Sequence, residues 1–383
     1  MVQKMAGQAI CLAALLVPVV GGVAVDFRSD ARTRPVALRD VFQQDFLIGA
    51  ALNAQQFTEF DQRGVPIITS QFNSITPENA LKWASVHPLP DKYDFAGPDA
   101  YVAFGEKHHM FIIGHTLIWH NQTPPWVFQD DQGNTVDRNT LLGRMRDHIH
   151  TVVGRYKGRI KGWDVVNEAV NEDGTLRQTP WLKIIGDDYL TKAFEFAHEA
   201  DPAAQLYYND YSLENEPKRN GAVALIKKLK AAGVPVQAVG LQGHDKLDWP
   251  TVDQQEATIK AFAALGIKVN ITELDIDVLP RASRSQGADV ALTAAARAEL
   301  NPFANGLPDA VQRNLASRYA ELFRVFVRNR EAIERVTFWG VTDADSWLNN
   351  WPVRGRTSYP LLFDRAGAPK PAFDAVVQAG SRR

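Results

Sequence analysis

Two glutamates stand out by their surroundings. Glu168 closes the run Trp163, Asp164, Val165, Val166, Asn167, and Glu273 lies in the run from Val269 to Asp275 (VNITELD). Each is a carboxylate at the end of an apolar, β-rich stretch. Two opposed carboxylates can break an acetal. One protonates the leaving oxygen, and the other attacks or supports the carbon as it becomes cation-like. The proton donor then needs a raised pKa, and its partner needs hydrogen-bond donors that keep it ionised. His244 ends the sixth apolar run, and Asp275 stands two residues beyond Glu273. If the sixth and seventh runs are neighbours, His244 can donate to Glu273 while Asp275 orients the imidazole.

Other chemistry-bearing residues cluster in the same way. Glu78, Asn79 and Lys82 follow one apolar run and can share hydrogen bonds to hydroxyls. His115 and His120 flank Leu117-Ile118-Trp119 at an i, i+5 spacing that matches no common metal-binding pair. No metal and no other cofactor is therefore expected. Trp119, Trp126, Trp339, Trp347 and Trp351 lie at or just after the ends of such runs, where indole faces can stack on the apolar faces of pyranose rings.

These residues need elements to position them. Apolar runs expected to form strands are Leu47–Asn53, Ser74–Pro77, Phe111–Trp119, Gly162–Asn167, Gln205–Asp210, Ala238–Gln242, Val269–Thr272 and Val336–Thr342. Amphipathic stretches, among them Leu190–Glu199, Gly221–Ala232 and Val252–Ala264, separate several of them, and Gly233 and Gly266 sit where helices should end. Eight strands alternating with helices imply parallel βα units. An open nucleotide-binding sheet needs a glycine-rich turn after its first strand, and Gly49-Ala50-Ala51-Leu52-Asn53 is not one. The expected fold is α/β, a single-domain (β/α)8 TIM barrel. Nearly every candidate strand ends in polar residues, and a barrel opens all its strand C-termini onto one face, where active sites lie. Glu168 and Glu273 then face each other across the mouth, from the fourth and seventh strands.

Composition agrees with this. The chain has 383 residues, 45% of them hydrophobic, and a formal charge of −2. That leaves no basic footprint for nucleic acid, and a neutral polymer suits the balance. Lys4, an apolar run from Ala9 to Val20 and the small residues Gly22 and Ala24 have the layout of a cleavable export signal. The run is shorter than the roughly 20 residues that span a bilayer. The expected organisation is a leader at 1–24 and a catalytic domain at 25–383, secreted to the periplasm or medium, monomeric and free of the membrane after cleavage. The single cysteine, Cys11, lies inside the leader, so the mature chain has no thiol chemistry. The residues alone leave open another barrel glycosidase such as a cellulase or mannanase, a metal-dependent hydrolase built on His115, His120 and His244, and a non-catalytic sugar-binding barrel.

Seven segments, taken in order, resemble glycoside hydrolase family 10, the retaining endo-β-1,4-xylanases. They are residues 73–83 (NSITPENALKW), 114–120 (GHTLIWH), 163–168 (WDVVNE), 208–211 (YNDY), 240–244 (GLQGH), 271–275 (ITELD) and 338–343 (FWGVTD). The resemblance runs from about Phe46 to about Phe373. It departs mildly at Leu81, where the family often has Met, and at Gly243, where Ser is also common. It implies xylan or xylo-oligosaccharides as substrate, with Glu168 as acid/base and Glu273 as nucleophile. Asn167 would bond the 2-hydroxyl of the sugar being cleaved, and His115 would contact the same sugar. Glu78, Asn79 and Lys82 would form the adjoining subsite. Trp119, Tyr211, Gln242, Trp339 and Trp347 would line the cleft, with His244 beside the nucleophile. Asn209 and Asp275 would support the carboxylates from behind. The implied outcome is hydrolysis with retained configuration.

Overall fold

The structure is a computed structural model that describes residues 36–281, 288–295 and 297–381. The expected leader at 1–24 lies outside them, as do residues 282–287 and 296 of the long stretch between Pro280 and Pro308. The strands are β1 (Leu47–Leu52), β2 (Ser74–Pro77), β3 (Phe111–Ile118), β4 (Gly162–Asn167), β5 (Gln205–Asp210), β6 (Ala238–Leu241), β7 (His244–Lys246), β8 (Lys268–Asp277) and β9 (Ile333–Phe338). All their pairings are parallel. The ladder runs β6-β5-β4-β3-β2-β1-β9-β8, and β6 also pairs with β8, which closes the ring. β7 is the continuation of β6 after a break at Gly243, whose φ is +75°, so the barrel has eight staves and β8 is the seventh. Helices alternate with them, as the βα rhythm required.

The strands fold this way because each is apolar on the face that meets the helices. Ile48, Ala50 and Leu52 of β1, Val165 and Val166 of β4, Leu206 and Tyr208 of β5, and Val269 and Ile271 of β8 join one large core with the helical side chains. Inside the barrel, Ile113, Tyr207 and Ala238 form a separate small cluster, packed against Phe111. Polar residues such as Ser74, Asp164, Asn209 and Thr337 are also fully buried. Helices stop where the sequence signals: the helix Glu216–Ala231 is followed by Gly233 at φ +78°, and Val252–Ala263 by Gly266 at φ +70°.

Several expected boundaries move. β1 ends at Leu52 because Asn53 caps the next helix, its side chain accepting from the main chain of Gln55 and Gln56. β3 stops at Ile118. The helix expected at 221 starts at Glu216, with Pro217 in its first turn. β8 runs to Asp277 rather than ending at Thr272, because its outer half gains β7 as a partner. The last strand begins at Ile333 and ends at Phe338, earlier than Val336–Thr342.

The neighbouring strand leaves no room at Gly114 in β3, where an added Cβ would lie 2.1 Å from the ring of its β4 partner Trp163. Trp163 is fully buried and has nowhere to go. Gly114→Ala should lower unfolding free energy by about 1–3 kcal/mol, the usual cost of overpacking. Urea denaturation followed by tryptophan fluorescence measures it, and an unchanged midpoint would mean that the indole yields freely.

Candidate active site

Glu168 directly follows β4, and its backbone sits at φ +58°, a left-handed conformation uncommon for a residue with a side chain. Its amide donates to Asn209 O at 2.9 Å. Glu273 lies within β8, and its amide donates to Gln242 O at 2.7 Å. Both strands are irregular near their ends. The β4–β5 register shifts between Asp164 and Val166, and the β8–β9 register shifts between Ile271 and Leu274. Such bulges re-aim side chains beside active sites. In β8 the consequence is direct, because the adjacent residues Thr272 and Glu273 both reach Asn209: Thr272 Oγ1 donates to Asn209 Oδ1 at 2.6 Å, and Asn209 Nδ2 donates to Glu273 Oε1 at 2.8 Å. A regular strand would send them to opposite faces.

The two carboxylates belong to one hydrogen-bonded network. Glu168 Oε1 accepts from Gln242 Nε2 at 3.1 Å and from Asn167 Nδ2 at 3.2 Å, and its Oε2 accepts from Trp119 Nε1 at 2.9 Å. Asn209 Nδ2 also donates to Asn167 Oδ1 at 2.9 Å, which joins the two halves. On the far side, His244 Nε2 is 3.1 Å from Glu273 Oε2, and His244 Nδ1 is 3.1 Å from Asp275 Oδ1. Trp347 Nε1 donates to the other Asp275 oxygen at 2.7 Å. The adjacency argued from strand order thus exists: His244 bridges Glu273 and Asp275.

Electrostatics separates the two glutamates. Burial, then the negative charge of Asp210, raises Glu168 to about 7, against the donated bonds of Gln242 and Trp119. Glu273 is equally buried, and burial alone would raise it. The His244 hydrogen bond, the positive field of His115 and His244, and the Asn209 bond outweigh that and hold it below its ordinary 4.5. Burial works against a charge on His244, yet Asp275 and Glu273 outweigh it and lift the imidazole to about 10. Near neutral pH His244 is therefore a cation that donates from both nitrogens, Glu273 is ionised, and Glu168 is half protonated.

A cavity of about 160 Å³ lies over these groups, and its lining includes Glu78, Asn79, Lys82, His115, Trp119, Asn167, Glu168, Gln242, His244, Glu273, Trp339 and Trp347. Lys82 Nζ donates to Asn79 Oδ1 at 3.1 Å and lies 5.1 Å from the centre of the Trp119 ring. The ring of Trp339 meets His115 edge-on at 5.4 Å. A second cavity of about 380 Å³ shares His244, Ala288 and Trp347 with the first and extends along Glu172, Asn215, Trp249 and Trp351. A larger one, about 550 Å³, lies at the opposite, N-terminal end of the strands, away from the carboxylates.

Three expected site residues do not line the first cavity. Asn209 and Asp275 stand behind it, as hydrogen-bond partners of Glu273 and His244. Tyr211, expected on the cleft wall, lies between two cations, Arg177 and Lys218. It is buried, its hydroxyl accepts from Arg177 Nη2 at 2.7 Å, and Lys218 Nζ sits 3.4 Å from its ring centre. Residues not singled out beforehand also enter. Asp164 Oδ2 lies 2.9 Å from His115 Nδ1 and fixes that ring, and Gln122, Ala288 and Val290 line the cavity. Asp164 was findable, since it lies on the strand that leads into Glu168. Ala288 and Val290 carry no local signal.

Comparisons with known proteins agree on one family. Residues 37–379 match the family model described as Glycosyl hydrolase family 10. The chain is 45% identical over 368 residues to an endo-1,4-beta-xylanase A of Xylanibacter ruminicola, covering 96% of this chain and 97% of that one. It is 42% identical to a beta-1,4-xylanase of Dictyoglomus thermophilum, covering 89% and 90%. Among solved structures, a GH10 endoxylanase retrieved from sugarcane soil metagenome superposes with a TM-score of 0.87 at 45% identity, over 89% of this chain and 99% of that one.

The opposed ionisation states give a direct test. Carbon-13 NMR of labelled glutamate carboxyls should find Glu168 titrating near 7 and Glu273 below 4.5. Because the Glu273 charge helps to raise Glu168, the Glu168 pKa should fall in Glu273→Gln. A value that stays put or rises would show that the two carboxylates are not electrostatically coupled.

Proposed function

The chain belongs to glycosyl hydrolase family 10 and is an endo-1,4-β-xylanase; we propose that it works by double displacement, with Glu273 as nucleophile and Glu168 as acid/base. The observation that carries this reading is the unequal ionisation of two buried carboxylates in one cavity, with Glu168 raised to about 7 and Glu273 lowered. The first is a proton donor near neutral pH, and the second is a charged nucleophile.

In the first step Glu273 attacks the anomeric carbon of a bound xylosyl unit. The bond from that carbon to the leaving oxygen breaks, and the Glu168 proton goes to that oxygen. A glycosyl ester of Glu273 results. In the second step Glu168, now a carboxylate, takes a proton from water. The water oxygen attacks the anomeric carbon, and Glu273 leaves as a carboxylate. Two inversions at one carbon give net retention. Asn167, which already holds Glu168 and Asn209, is placed to bond the 2-hydroxyl of the sugar under attack. His115, oriented by Asp164, would contact the same sugar. Glu78, Asn79 and Lys82 would hold the next sugar, Trp119, Trp339 and Trp347 would supply apolar faces, and Gln242 and His244 would keep the carboxylates in register.

We also propose that residues 1–24 are removed on export and that the enzyme acts outside the cytoplasm, where a polymer too large to enter the cell would be met. Edman sequencing of enzyme recovered from culture fluid should begin near Val25; a chain retaining Met1 would remove this part of the reading.

Initial rates on xylan, cellulose and mannan should favour xylan. Glu273→Gln should abolish turnover, and Glu168→Gln should reduce it by about 10²–10⁴-fold, the usual weight of general acid catalysis. Proton NMR of early products should detect the β-anomer first, and an initial α-anomer would exclude double displacement. The pH profile of kcat/KM follows from the signs. Activity needs Glu168 protonated, so it falls as pH rises through about 7. It also needs Glu273 ionised, so it falls on the acid side below 4.5. His244→Ala removes the strongest influence lowering Glu273, so its acid limb should move to higher pH.

A further inference from the structure

Arg177 lies nine residues beyond Glu168, just ahead of the helix Pro180–Ile185. Its guanidinium serves three partners on three segments. Nε donates to the main-chain oxygen of Glu168 at 3.1 Å, Nη2 donates to the Tyr211 hydroxyl at 2.7 Å, and Nη1 pairs with Asp289 Oδ2 at 3.3 Å. The Arg177 amide also donates to Ala169 O at 2.8 Å, so its own main chain is tied to the strand end it serves. Both Arg177 and Asp289 are mostly shielded from solvent, with side chains 17% and 18% exposed.

Glu168 needs such a clamp. A residue with a side chain at φ +58° is in a sparsely populated conformation, which persists only when its surroundings over-determine it. The peptide group that leaves Glu168 is held at both ends: its oxygen by Arg177 Nε, and its nitrogen, that of Ala169, by the Tyr208 hydroxyl at 3.1 Å. Holding that plane fixes ψ at Glu168, and with it the left-handed main chain from which the carboxyl reaches Trp119 and Gln242. Asp289 stands between Ala288 and Val290, which both line the cavity, so the same guanidinium joins the Glu168 main chain to the cavity wall.

We propose that Arg177 is a positioning residue for the proton donor: held in place by Tyr211, it locks the left-handed main chain of Glu168 and couples it, through Asp289, to the wall of the cleft. This rests on the reading of Glu168 as acid/base. A planar fork that satisfies three acceptors in fixed directions is a task for arginine, and a lysine with one ammonium group can satisfy only part of it.

Aryl β-xylobiosides that differ only in the leaving group provide the test. A 2,4-dinitrophenolate departs without a proton, whereas an unsubstituted phenolate needs the acid. The quantity compared is kcat/KM, which reports the glycosylation step, for wild type, Glu168→Ala, Arg177→Gln and Arg177→Lys, with thermal midpoints confirming that each is folded. Arg177→Gln should lose about 10–100-fold on the phenyl substrate, part of the full weight of acid catalysis, and stay within about threefold of wild type on the dinitrophenyl substrate. Arg177→Lys should recover part of the phenyl activity. An equal loss on both substrates would make Arg177 merely structural, and no loss on either would make it dispensable; each overturns the proposal. Should Glu168→Ala itself treat the two leaving groups alike, Glu168 is not the proton donor, and the role of Arg177 falls with it. Should Glu168→Ala discriminate while Arg177→Gln does not, only the role of Arg177 falls.

Discussion

Two carboxylates buried in one cavity cannot both ionise without cost, and the site is organised around making them unequal. Depth does not separate them, since both are almost wholly shielded. What differs is the charge of their neighbours. Glu273 faces a cationic His244, whose other nitrogen is anchored by Asp275, itself held by Trp347. The Glu168 carboxylate accepts from the neutral donors Asn167, Gln242 and Trp119, with the Asp210 charge behind it. Asn209 bridges the two halves, and it fits because β6 has Gly240 beside it. A Cβ there would come within 2.1 Å of Asn209 Oδ1. An architectural detail of strand packing is thus tied to the ionisation of Glu273.

Much of this was legible in the residues themselves. The strand–helix rhythm, the closed barrel and the neighbouring sixth and seventh strands follow from apolar runs and their punctuation. The bridge from His244 to Glu273 and Asp275 follows from that order. What stayed hidden depends on irregularity. A period of two cannot place Thr272 and Glu273 on one face, and nothing local announces the register shift that does so. The left-handed main chain at Glu168 is equally silent, because the residue there is not glycine. Nothing in the sequence singles out Arg177, because its three partners come from three separate segments of the chain.

Polar residues at strand ends also do two jobs that composition cannot separate. The polar strand ends suggest one shared cleft, yet some of them pin the scaffold. Asp343 accepts from Lys370 Nζ at 2.9 Å and from the Leu361 amide at 2.9 Å, which ties the segment after β9 to the C-terminal segment. Asp210 pairs with the fully buried Lys218 at 3.1 Å. Tyr211 belongs with this scaffold group, since its ring lies against the Lys218 ammonium and its hydroxyl accepts from Arg177. Buried ion pairs of this kind are costly to break on one side only, because the surviving partner is left uncompensated.

The same couplings bear on the second half of the proposed reaction. In the free enzyme the Glu273 charge is one of the influences that raise Glu168. When Glu273 becomes an ester, that charge is gone. Glu168 has by then given its proton to the leaving oxygen, so the cavity still carries one negative charge from this pair, now on the opposite wall. With the repulsion from Glu273 removed, the pKa of Glu168 falls, and its ionised form, the one needed to activate water, becomes the favoured one. Hydrolysis of the ester restores the charge on Glu273, raises Glu168 again and returns it to the proton-donating form. Acid and base are then successive states of one carboxyl, switched by the covalent state of its neighbour. This requires that the two groups remain close and poorly screened, which is what their common burial and the Asn209 bridge provide.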